Sequence, residues 1–340
     1  MGLAEHATGT VLRTEQQHRA ATCRLVSVTA NTHTPVLLAP VLAGLAVQPD
    51  GFYVDATYGR GGHSSAILQG LNDSGRLLVM DRDPAAIAAA EQRFAGDQRV
   101  AVVEGSFTLL KQAVENARMM EQVQGVLLDL GVSSPQLEDP ARGFSFMHDG
   151  PLDMRMDTSV GPSVAAWLAN AQETAISRVL RDFGEERHAR RIARAICQAR
   201  ATAAIERTGQ LARIISEAIP KRFHEPGRHP ATKSFQALRI FINGELDELR
   251  AVLPQLLDVL APGGRLAIIS FHSLEDRIVK RFLREQSRGD PYPVELPVPA
   301  SALNPALKLI GRAQHAEADE TEYNPRARSA VLRVAERCAA

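Results

Sequence analysis

Short apolar segments that alternate with helix-like segments restrict the fold of this chain more than any other feature. Four such apolar runs come early in the chain, at 52–55, 77–81, 100–103 and 126–130. Helical patterns separate them, such as 84–94, which opens with a proline suited to a first helical turn, and 111–121. Strands that alternate with helices form βαβ units, whose strands pair in parallel. The sequence therefore predicts an α/β, Rossmann-like fold with a mostly parallel, doubly wound sheet.

The alternation stops after the fourth predicted strand, where a long helical region begins. A loop rich in Gly, Asp and Met occupies 143–157. Helical patterns follow it at 164–168, 176–183, 186–199 and 211–218. Because none of these segments has the apolar character of the earlier strands, we predict an inserted helical domain at 138–232.

The α/β pattern resumes after the insert. A helix is predicted at 235–257, and strands are predicted at 265–270, after a Pro-Gly-Gly turn, and at 330–334. Residues 31–137 and 233–340 are therefore expected to form one domain. Residues 1–30 lack any periodicity and are expected to form a flexible N-terminal extension.

Composition excludes several classes of protein. The 340 residues are 45% hydrophobic, and 39 Lys and Arg balance 39 Asp and Glu, so disorder is not expected. Cys23, Cys197 and Cys338 are odd in number and far apart, which predicts neither a disulfide framework nor a CxxC metal motif. No apolar run is long enough to span a membrane, and no secretory leader is recognisable. We therefore expect a cytoplasmic protein that does not associate with membranes.

Candidate ligand groups follow the ends of the predicted strands. Asp55, Asp81 and Asp129 close strands one, two and four, and Phe107 lies just beyond strand three. Ligands of open parallel sheets bind at the carboxyl ends of the strands. Asp81 occupies the position at which an acid accepts the ribose hydroxyls of an adenosine cofactor, and Phe107 is placed to cover an adenine ring. The pattern predicts a site for such a cofactor.

The glycines that follow the first strand distinguish between cofactors. Gly59, Gly61 and Gly62 permit close approach of the backbone to a ligand, and the helix that follows offers free N–H groups. The GxGxxG pattern of NAD-binding proteins is broken, because position 64 is Ser. These glycines therefore argue against a nicotinamide-dependent oxidoreductase, the first rival interpretation.

Ten longer motifs resemble one family closely. They lie at 32–38, 55–64, 81–84, 128–136, 142–146, 150–157, 229–232, 235–240, 270–277 and 324–329. Among them are DATYGRGGHS, LDLGVSSPQ and SFHSLEDR. Together they resemble the bacterial methyltransferases that modify the N4 amine of a cytosine in small-subunit (16S) ribosomal RNA. The resemblance extends over about residues 31–337; residues 1–30 have no counterpart in it, and Ala56 and Tyr58 stand where Gly and Phe are also acceptable.

This resemblance implies a cofactor, a partner and a set of contact residues. The cofactor is S-adenosyl-L-methionine, and the expected class is a Rossmann-like class I methyltransferase. The partner is small-subunit ribosomal RNA within the assembled subunit, with the target near the decoding centre. The residues that the resemblance assigns to the cofactor are Gly61, Gly62, His63, Asp81, Phe107, Asp129 and Gln136.

The chemistry of cytosine suggests a set of catalytic candidates after strand four. The N4 amine is a poor nucleophile because its lone pair is delocalised, so an enzyme assists by accepting its hydrogen bonds and by aligning it. DNA amino-methyltransferases carry a polar residue followed by prolines at this place. Here Asp129 and the run Ser133, Ser134 and Pro135 occupy it, and we hypothesise that they face the amine. A cofactor-binding Asp with a purely structural turn is the alternative.

Aromatic residues near the sheet edge are candidates for holding the target base, which must leave its stack to react. Phe271 and His272, after strand five, are on the correct edge, and Phe144 and Phe146 are alternatives. Packing in the hydrophobic core is the competing explanation for each aromatic residue. A metal is not predicted, since His224 and His229 have no third ligand at a suitable spacing.

The insert carries the sequence argument for nucleic-acid binding. Residues 178–239 contain 14 Lys and Arg but only six Asp and Glu. Arg187, Arg190, Arg191 and Arg194 fall near one helical face, which suits phosphate contacts. A solvated face balanced by Glu185 and Glu186 is the alternative.

Two further rival functions remain open from the sequence. One is a non-catalytic RNA-binding or assembly factor with a vestigial cofactor pocket, and the other is a methyltransferase of DNA or protein. The oligomeric state and the general base are not predicted.

Overall fold

The structure is a computed structural model that describes residues 35–289 and 303–339. The predicted extension at 1–30 lies outside the described residues. No helix in the described ranges combines the length and the apolar character that a membrane crossing requires.

The described strands form one mixed sheet with the order β3-β2-β1-β4-β5-β8-β6, and β7 pairs with β8 off this path. Their bounds are β1 Phe52–Asp55, β2 Arg76–Asp81, β3 Val100–Glu104, β4 Val123–Asp129, β5 Leu260–Ser270, β6 Leu307–Leu309, β7 Gln314–His315 and β8 Val331–Arg337. Strands β3, β2, β1, β4 and β5 are parallel. Strand β8 is antiparallel to its three neighbours. The predicted α/β fold with a mostly parallel sheet is thereby confirmed.

Thirteen α-helices accompany the sheet in the described ranges. Those of the α/β part before the insert are α1 Leu38–Leu45, α2 Gly62–Gly70, α3 Pro84–Arg93, α4 Leu110–Asn116 and α5 Ser134–Glu138. Those of the predicted insert are α6 Val164–Asn170, α7 Glu173–Gly184, α8 Ala189–Thr202 and α9 Thr208–Ala218. The remaining helices are α10 Thr232–Asn243, α11 Glu245–Val259, α12 Ser273–Gln286 and α13 Ala318–Tyr323.

Alternation along the central strands places hydrophobic clusters on both faces of the sheet. Val126 and Leu128 of β4 join the cluster that α11 and α12 cover, whereas Leu127 joins the cluster that α1 and α2 cover. Strands buried on both faces explain why the sequence shows continuous apolar runs at these positions. The two clusters keep the ends of the strands, and therefore the acids that close them, in a rigid arrangement.

A third hydrophobic cluster lies in the region of the predicted insert. It is built from buried residues of α6 to α9. Phe235 and Leu238 of α10 also pack in it, although the sequence placed α10 in the α/β domain. The division into two domains stays a prediction, with α10 contributing its buried face to the insert.

The structure corrects several predicted boundaries. The helix predicted at 235–257 is two helices, because Gly244 adopts φ 63° and ends α10. The helix predicted at 111–121 ends at Asn116, and Arg118 has a positive φ. The predicted turn at 262–264 lies inside β5 as a bulge, since Val123 pairs with Leu260 while Gly125 pairs with Arg265. The short strands β6 and β7 were not predicted.

Gly244 and Gly143 both have a positive φ, but only Gly143 is crowded. Substituting each by alanine therefore separates the cost of backbone strain from the cost of steric contact. A Cβ at Gly244 (φ 63°) meets no atom within 4 Å, whereas one at Gly143 (φ 72°) would lie 2.7 Å from Asp153 N and closer still to Pro151 O. We expect Gly244→Ala to lower the free energy of unfolding by about 1–2 kcal/mol and Gly143→Ala by about 2–5 kcal/mol. Urea denaturation of both variants measures the difference. Equal losses would show that Pro151 and Asp153 move aside freely.

Candidate cofactor and target-base site

The three strand-end acids lie at the edge of the sheet formed by the carboxyl ends of its parallel strands. The strand order reverses here, because β2 and β3 lie on one side of β1 whereas β4 and β5 lie on the other. Asp55 on β1 pairs with Val79 of β2 and Leu127 of β4. Asp81 and Asp129 therefore each extend two residues beyond it on the flanking strands. This is the topological switch point at which doubly wound sheets bind ligands.

Asp81 holds the glycine loop against the end of β2. Its Oδ2 accepts a hydrogen bond from Gly59 N at 2.8 Å, and its Oδ1 accepts one from Asp83 N at 2.9 Å. Burial raises the pKa of Asp81. Each oxygen keeps accepting capacity, so the carboxylate fits the predicted contact with two ribose hydroxyls.

Gly61 brings the backbone close to this edge. It caps the N-terminus of α2 with φ 69°, and a Cβ there would lie 2.5 Å from Tyr58 Cζ. A side chain is therefore excluded for two reasons, strain and contact. The free N–H groups of the first turn of α2, which begins at Gly62, face the same edge of the sheet as the three acids.

Ser64, the residue that breaks the NAD pattern, has a specific partner. Its Oγ donates a 2.5 Å hydrogen bond to Oδ2 of Asp55, which is only 1% exposed. Burial raises the pKa of Asp55 to about 6, although the hydrogen bonds from Ser64 and Thr57 act to lower it. The departure from GxGxxG is thus explained by a hydroxyl that satisfies a buried acid.

Asp129 and His63 carry unsatisfied polar atoms at the same edge. Within the described part of the chain, Asp129 Oδ1 and both ring nitrogens of His63 have no hydrogen-bond partner. His63 Nε2 lies 3.6 Å from Asp129 Oδ2. Burial, followed by repulsion from Asp55 and Glu275, raises the pKa of Asp129 well above its usual range. Burial lowers the pKa of His63 to about 4, so its ring is neutral near pH 7.

These features fit a cationic ligand. Buried polar atoms without partners are uncommon in folded proteins and mark places where a ligand supplies the missing contact. Three acids whose charged forms are destabilised by burial gain from a nearby positive charge. S-adenosylmethionine carries such a charge on its sulfur, and an unoccupied hydrogen-bond acceptor such as Asp129 Oδ1 suits its ammonium or a target amine.

Gln136 connects this edge to the insert through Asp83. Its Oε1 accepts from Ser133 N at 2.9 Å, and its Nε2 donates to Asp83 Oδ2 at 2.8 Å. Arg142 Nη1 donates to the same oxygen at 2.8 Å, and its Nη2 donates to Met156 O at 2.6 Å. Direct contact of Gln136 with a cofactor stays a prediction, because both ends of its amide are engaged within the protein.

Sequence reasoning missed the roles of Asp83 and Arg142. Both lie in motifs that carried the resemblance, at 81–84 and 142–146, so their presence in motifs was the available signal. Their pairing across 59 positions of sequence was not visible, because it depends on how the loop after α5 folds back.

Ser134 and Pro135 begin α5, directly before Gln136, which contacts Asp83. Arg326 Nη1 donates a hydrogen bond to Ser134 Oγ, and Ser134 is buried. Pro135 occupies the first turn of α5, where its lack of an N–H costs nothing. The catalytic role of both residues stays a prediction, and the contact with Arg326 brings the C-terminal motif 324–329 to the site.

Phe107, Phe271 and His272 lie on elements that follow β3 and β5. Phe107 is partly exposed in a 3₁₀ turn that Ser106 caps. Phe271 is partly exposed and borders the loop after β4, since a Cβ on Gly131 would lie 3.7 Å from its ring. His272 caps α12 and accepts from Glu275 N at 3.3 Å. The structure therefore brings Phe271 toward Asp129, whereas His272 has a clear capping function.

The alternative aromatics are committed to packing in the insert. Phe144 is buried in the third hydrophobic cluster. Phe146 packs on the rings of His229 and Phe235, with centroids 4.5 and 4.8 Å away. Core packing, the competing explanation from the sequence, is what the structure shows for these two residues.

One cluster in the described ranges has the spacing of metal ligands, but an arginine already occupies it. Glu245, His272 and Glu275 bring ligand atoms within 4.8 Å of one another. Arg239 donates to both carboxylate oxygens of Glu245 at 2.8 and 2.7 Å. Although burial acts to raise the pKa of Glu275, His272 and Arg239 hold it below the usual range. The cluster is therefore an ion-pair network beneath Phe271.

His224 and His229 also have local partners. His224 Nε2 lies 3.0 Å from Ile219 O, and His229 Nδ1 accepts from Ala231 N at 3.1 Å. Both contacts explain these histidines without a metal.

Comparison with known proteins decides the family. Residues 30–338 match the MraW methylase family. The chain belongs to this family. A ribosomal RNA small subunit methyltransferase H from Thiobacillus denitrificans is 58% identical over 308 residues, which cover 90% of this chain and 97% of that protein. One from Thioalkalivibrio sulfidiphilus is 56% identical over 311 residues, which cover 91% of this chain and 98% of that protein.

Membership in the family confirms several predictions from the sequence. The resemblance was recognised correctly, and the chain is a methyltransferase that depends on S-adenosylmethionine. The rival nicotinamide-dependent oxidoreductase is therefore wrong. The individual contact residues stay predictions.

The raised pKa of Asp55 predicts that this acid lowers the free energy of unfolding while it favours cofactor binding. Between its unfolded pKa near 3.8 and its folded pKa of about 6, the folded state binds more protons, so the free energy of unfolding falls as pH rises. We expect Asp55→Asn to raise the free energy of unfolding of the apo-protein, relative to wild type, by about 1–3 kcal/mol more at pH 8 than at pH 3.5. The same substitution should weaken S-adenosylmethionine binding. Urea denaturation at both pH values and calorimetric titration measure the two effects.

Ser64→Ala is the matched control for this prediction. It removes the hydrogen bond to Asp55 but leaves the acid, so the loss of stability with rising pH should persist or grow. A pH dependence that is identical in wild type and Asp55→Asn would show that another group is responsible.

Proposed function

We propose that this enzyme transfers the methyl group of S-adenosylmethionine to the exocyclic N4 amine of a cytosine in small-subunit ribosomal RNA. The observation that carries this proposal is the half-buried carboxylate of Asp129, whose Oδ1 is buried. Among the described residues its Oδ1 has no hydrogen-bond partner, and it lies at the switch point next to the Ser133–Pro135 turn and Phe271. An acceptor in that position suits an N–H donor such as an exocyclic amine.

Residues at the carboxyl ends of the strands each contact a different part of the cofactor. Asp81 binds the ribose, Gly61 and Gly62 allow the backbone to approach, and Phe107 covers the adenine. His63 and Gln136 complete the pocket. When bound, the cofactor supplies a methyl group that its positively charged sulfur makes electrophilic.

Asp129 acts on the target amine. Thr57 Oγ1 accepts from the backbone N–H of Asp129 at 2.6 Å and fixes the position of the residue. By accepting a hydrogen bond from N4, the carboxylate favours the pyramidal, reactive amine, and its raised pKa makes it a competent acceptor for the proton that the amine loses. Ser134, oriented by Arg326, and Pro135 shape the same wall, while Phe271 stacks on the base and excludes water.

The insert supplies the contacts to RNA phosphates. Arg187, Arg190, Arg191 and Arg194 are exposed along α8 and the turn before it. In the described chain only Arg194 of these four comes near a carboxylate, Glu173, at 3.8 Å. Free guanidinium groups on one face favour phosphate binding.

The acids expected to balance this face are engaged elsewhere. Glu185 pairs with Arg277 at 2.9 Å. Glu186 is buried, and its Oε1 accepts from His188 N at 2.9 Å. Neither acid pairs with the arginine face, which supports phosphate binding over a face balanced by these two acids.

The substrate that we propose is the assembled small subunit, with the reaction in the cytoplasm. Methyl transfer from labelled S-adenosylmethionine to small subunits that lack the modification, followed by digestion to nucleosides and mass analysis, tests the function. We expect cytidine to gain one methyl group on N4. Transfer only to protein-free RNA would remove the assembled subunit from the proposal. No transfer despite tight cofactor binding would favour a methyltransferase of another acceptor.

Substitution of Asp129 separates catalysis from cofactor binding. We expect Asp129→Asn to lower kcat by about 100-fold or more, since it removes a proton acceptor, while the Kd for S-adenosylmethionine changes less. Asp81→Asn, the matched control, should chiefly weaken cofactor binding. Single-turnover rates at saturating cofactor and calorimetric titration measure the two effects. If Asp129→Asn keeps full turnover and loses only cofactor affinity, Asp129 is a binding residue alone.

A further inference from the structure

An open depression lies on the predicted insert and the start of α10, and none of the three strand-end acids is among its lining residues. Its lining includes Arg187, His188, Phe223, Arg228 and Lys233. These residues come from the turn before α8, the 3₁₀ turn Lys221–Phe223, the loop after it and the start of α10. None of them has a part in holding the cofactor or in methyl transfer.

One side of the depression presents the exposed ring of Phe223, with a tilted histidine ring and an arginine beside it. Phe223 is 50% exposed, which is unusual for a residue of its size. The ring of His188 lies 4.9 Å from it, and the guanidinium of Arg222 lies 4.9 Å from its centroid. Aromatic rings and arginine planes are the surfaces on which unpaired RNA bases stack.

The cationic side is held in place by weak ion pairs. Arg228 lies 3.9 Å and Lys233 lies 3.6 Å from the exposed carboxylate of Glu225. Pairs of this length on an exposed surface contribute little and are readily exchanged for a phosphate. Glu186, the other acid in the lining, is buried and accepts a hydrogen bond from His188 N.

Two contacts connect the depression to the reaction site. Glu185, which precedes the lining residue Glu186, accepts from Ser273 Oγ at 3.2 Å and from Arg277 Nη2 at 2.9 Å. Ser273 directly follows Phe271 and His272. His229, another lining residue, packs on Phe146 of the motif at 142–146. The start of α12, which follows Phe271, is therefore in direct contact with the segment that borders the depression.

We propose that this depression binds one unpaired nucleotide of the RNA substrate, outside the target cytidine. Its base stacks on the group formed by Phe223, His188 and Arg222. Its phosphate pairs with Arg187, Arg228 and Lys233, which displace Glu225. The inference rests on the proposed RNA substrate and adds a specificity contact for it.

The test combines steady-state kinetics on hypomethylated small subunits with anisotropy of a fluorescein-labelled single-stranded RNA 12-mer. Phe223→Leu keeps apolar volume but removes the ring, and we expect it to raise KM and the 12-mer Kd by about five- to tenfold with kcat unchanged. Phe223→Tyr should restore both. Arg228→Gln with Lys233→Gln should raise both constants. It should also reduce the slope of log Kd against log salt concentration by up to about 0.7, the contribution of one phosphate contact on a single strand.

Arg250→Gln and Arg281→Gln are matched controls, since both remove an exposed arginine from helices outside the insert. Thermal melting of each variant verifies that it folds. Unchanged KM and 12-mer Kd in Phe223→Leu would overturn the proposal. If only the charge variant changed these constants, the depression would bind a phosphate without stacking a base, and the proposal would also be overturned.

Cross-linking separates this proposal from the proposed function. A 12-mer substituted with 4-thiouridine should cross-link within the peptide 219–230. If wild-type enzyme methylates no RNA but cross-links there, the proposed function fails while the nucleotide site stands. If it methylates subunits but cross-links only elsewhere, the nucleotide site fails while the function stands.

Discussion

Three carboxylates, one buried and two half-buried, close neighbouring strands at one end of the sheet, and the site depends on this constraint. Asp55, Asp81 and Asp129 close neighbouring parallel strands, and burial raises the pKa of each. The charged forms are therefore costly in the free enzyme, and the hydrophobic clusters on both faces of the sheet offset that cost. We expect a cofactor with a positively charged sulfur to relieve it. The site is thus less stable than it would be with neutral residues, as is common for sites that must bind charge.

The same edge is coupled mechanically to the insert. The Asp83 carboxylate receives Gln136 from α5 and Arg142 from the loop that enters the insert. Its neighbour Arg82 donates to Glu248 of α11 and to Asn243 O at the end of α10. The turn that carries Asp81 therefore contacts both the loop that enters the predicted insert and the end of α10, which follows the insert. Displacement of the insert would therefore shift Asp81, because Arg82 directly follows it in the chain.

Much of this arrangement was predictable from particular residues. The strands that end in Asp55, Asp81 and Asp129 are continuous apolar runs, and parallel strands bring their carboxyl ends together, so the cofactor site followed from order alone. The break at Gly244 was harder, because helical periodicity continues on both sides of it and only the positive φ ends α10. The strands β6 and β7, with three and two residues, are too short to show periodicity. Phe144 and Phe146 carried no signal that separates a stacking surface from a core.

The amino-acid sequence by itself determined the class of fold, the family and the edge at which the cofactor acids meet, because these depend on local periodicity and on motifs that are contiguous in the chain. The tertiary structure decided what each polar group contacts. It paired Ser64 with Asp55, Arg142 with Asp83, Arg326 with Ser134, and Arg239 with Glu245. It also directed Glu185 and Glu186 away from the arginine face. Hydrogen bonds and ion pairs between distant segments depend on how loops return to the sheet, and no local pattern in the sequence records that path.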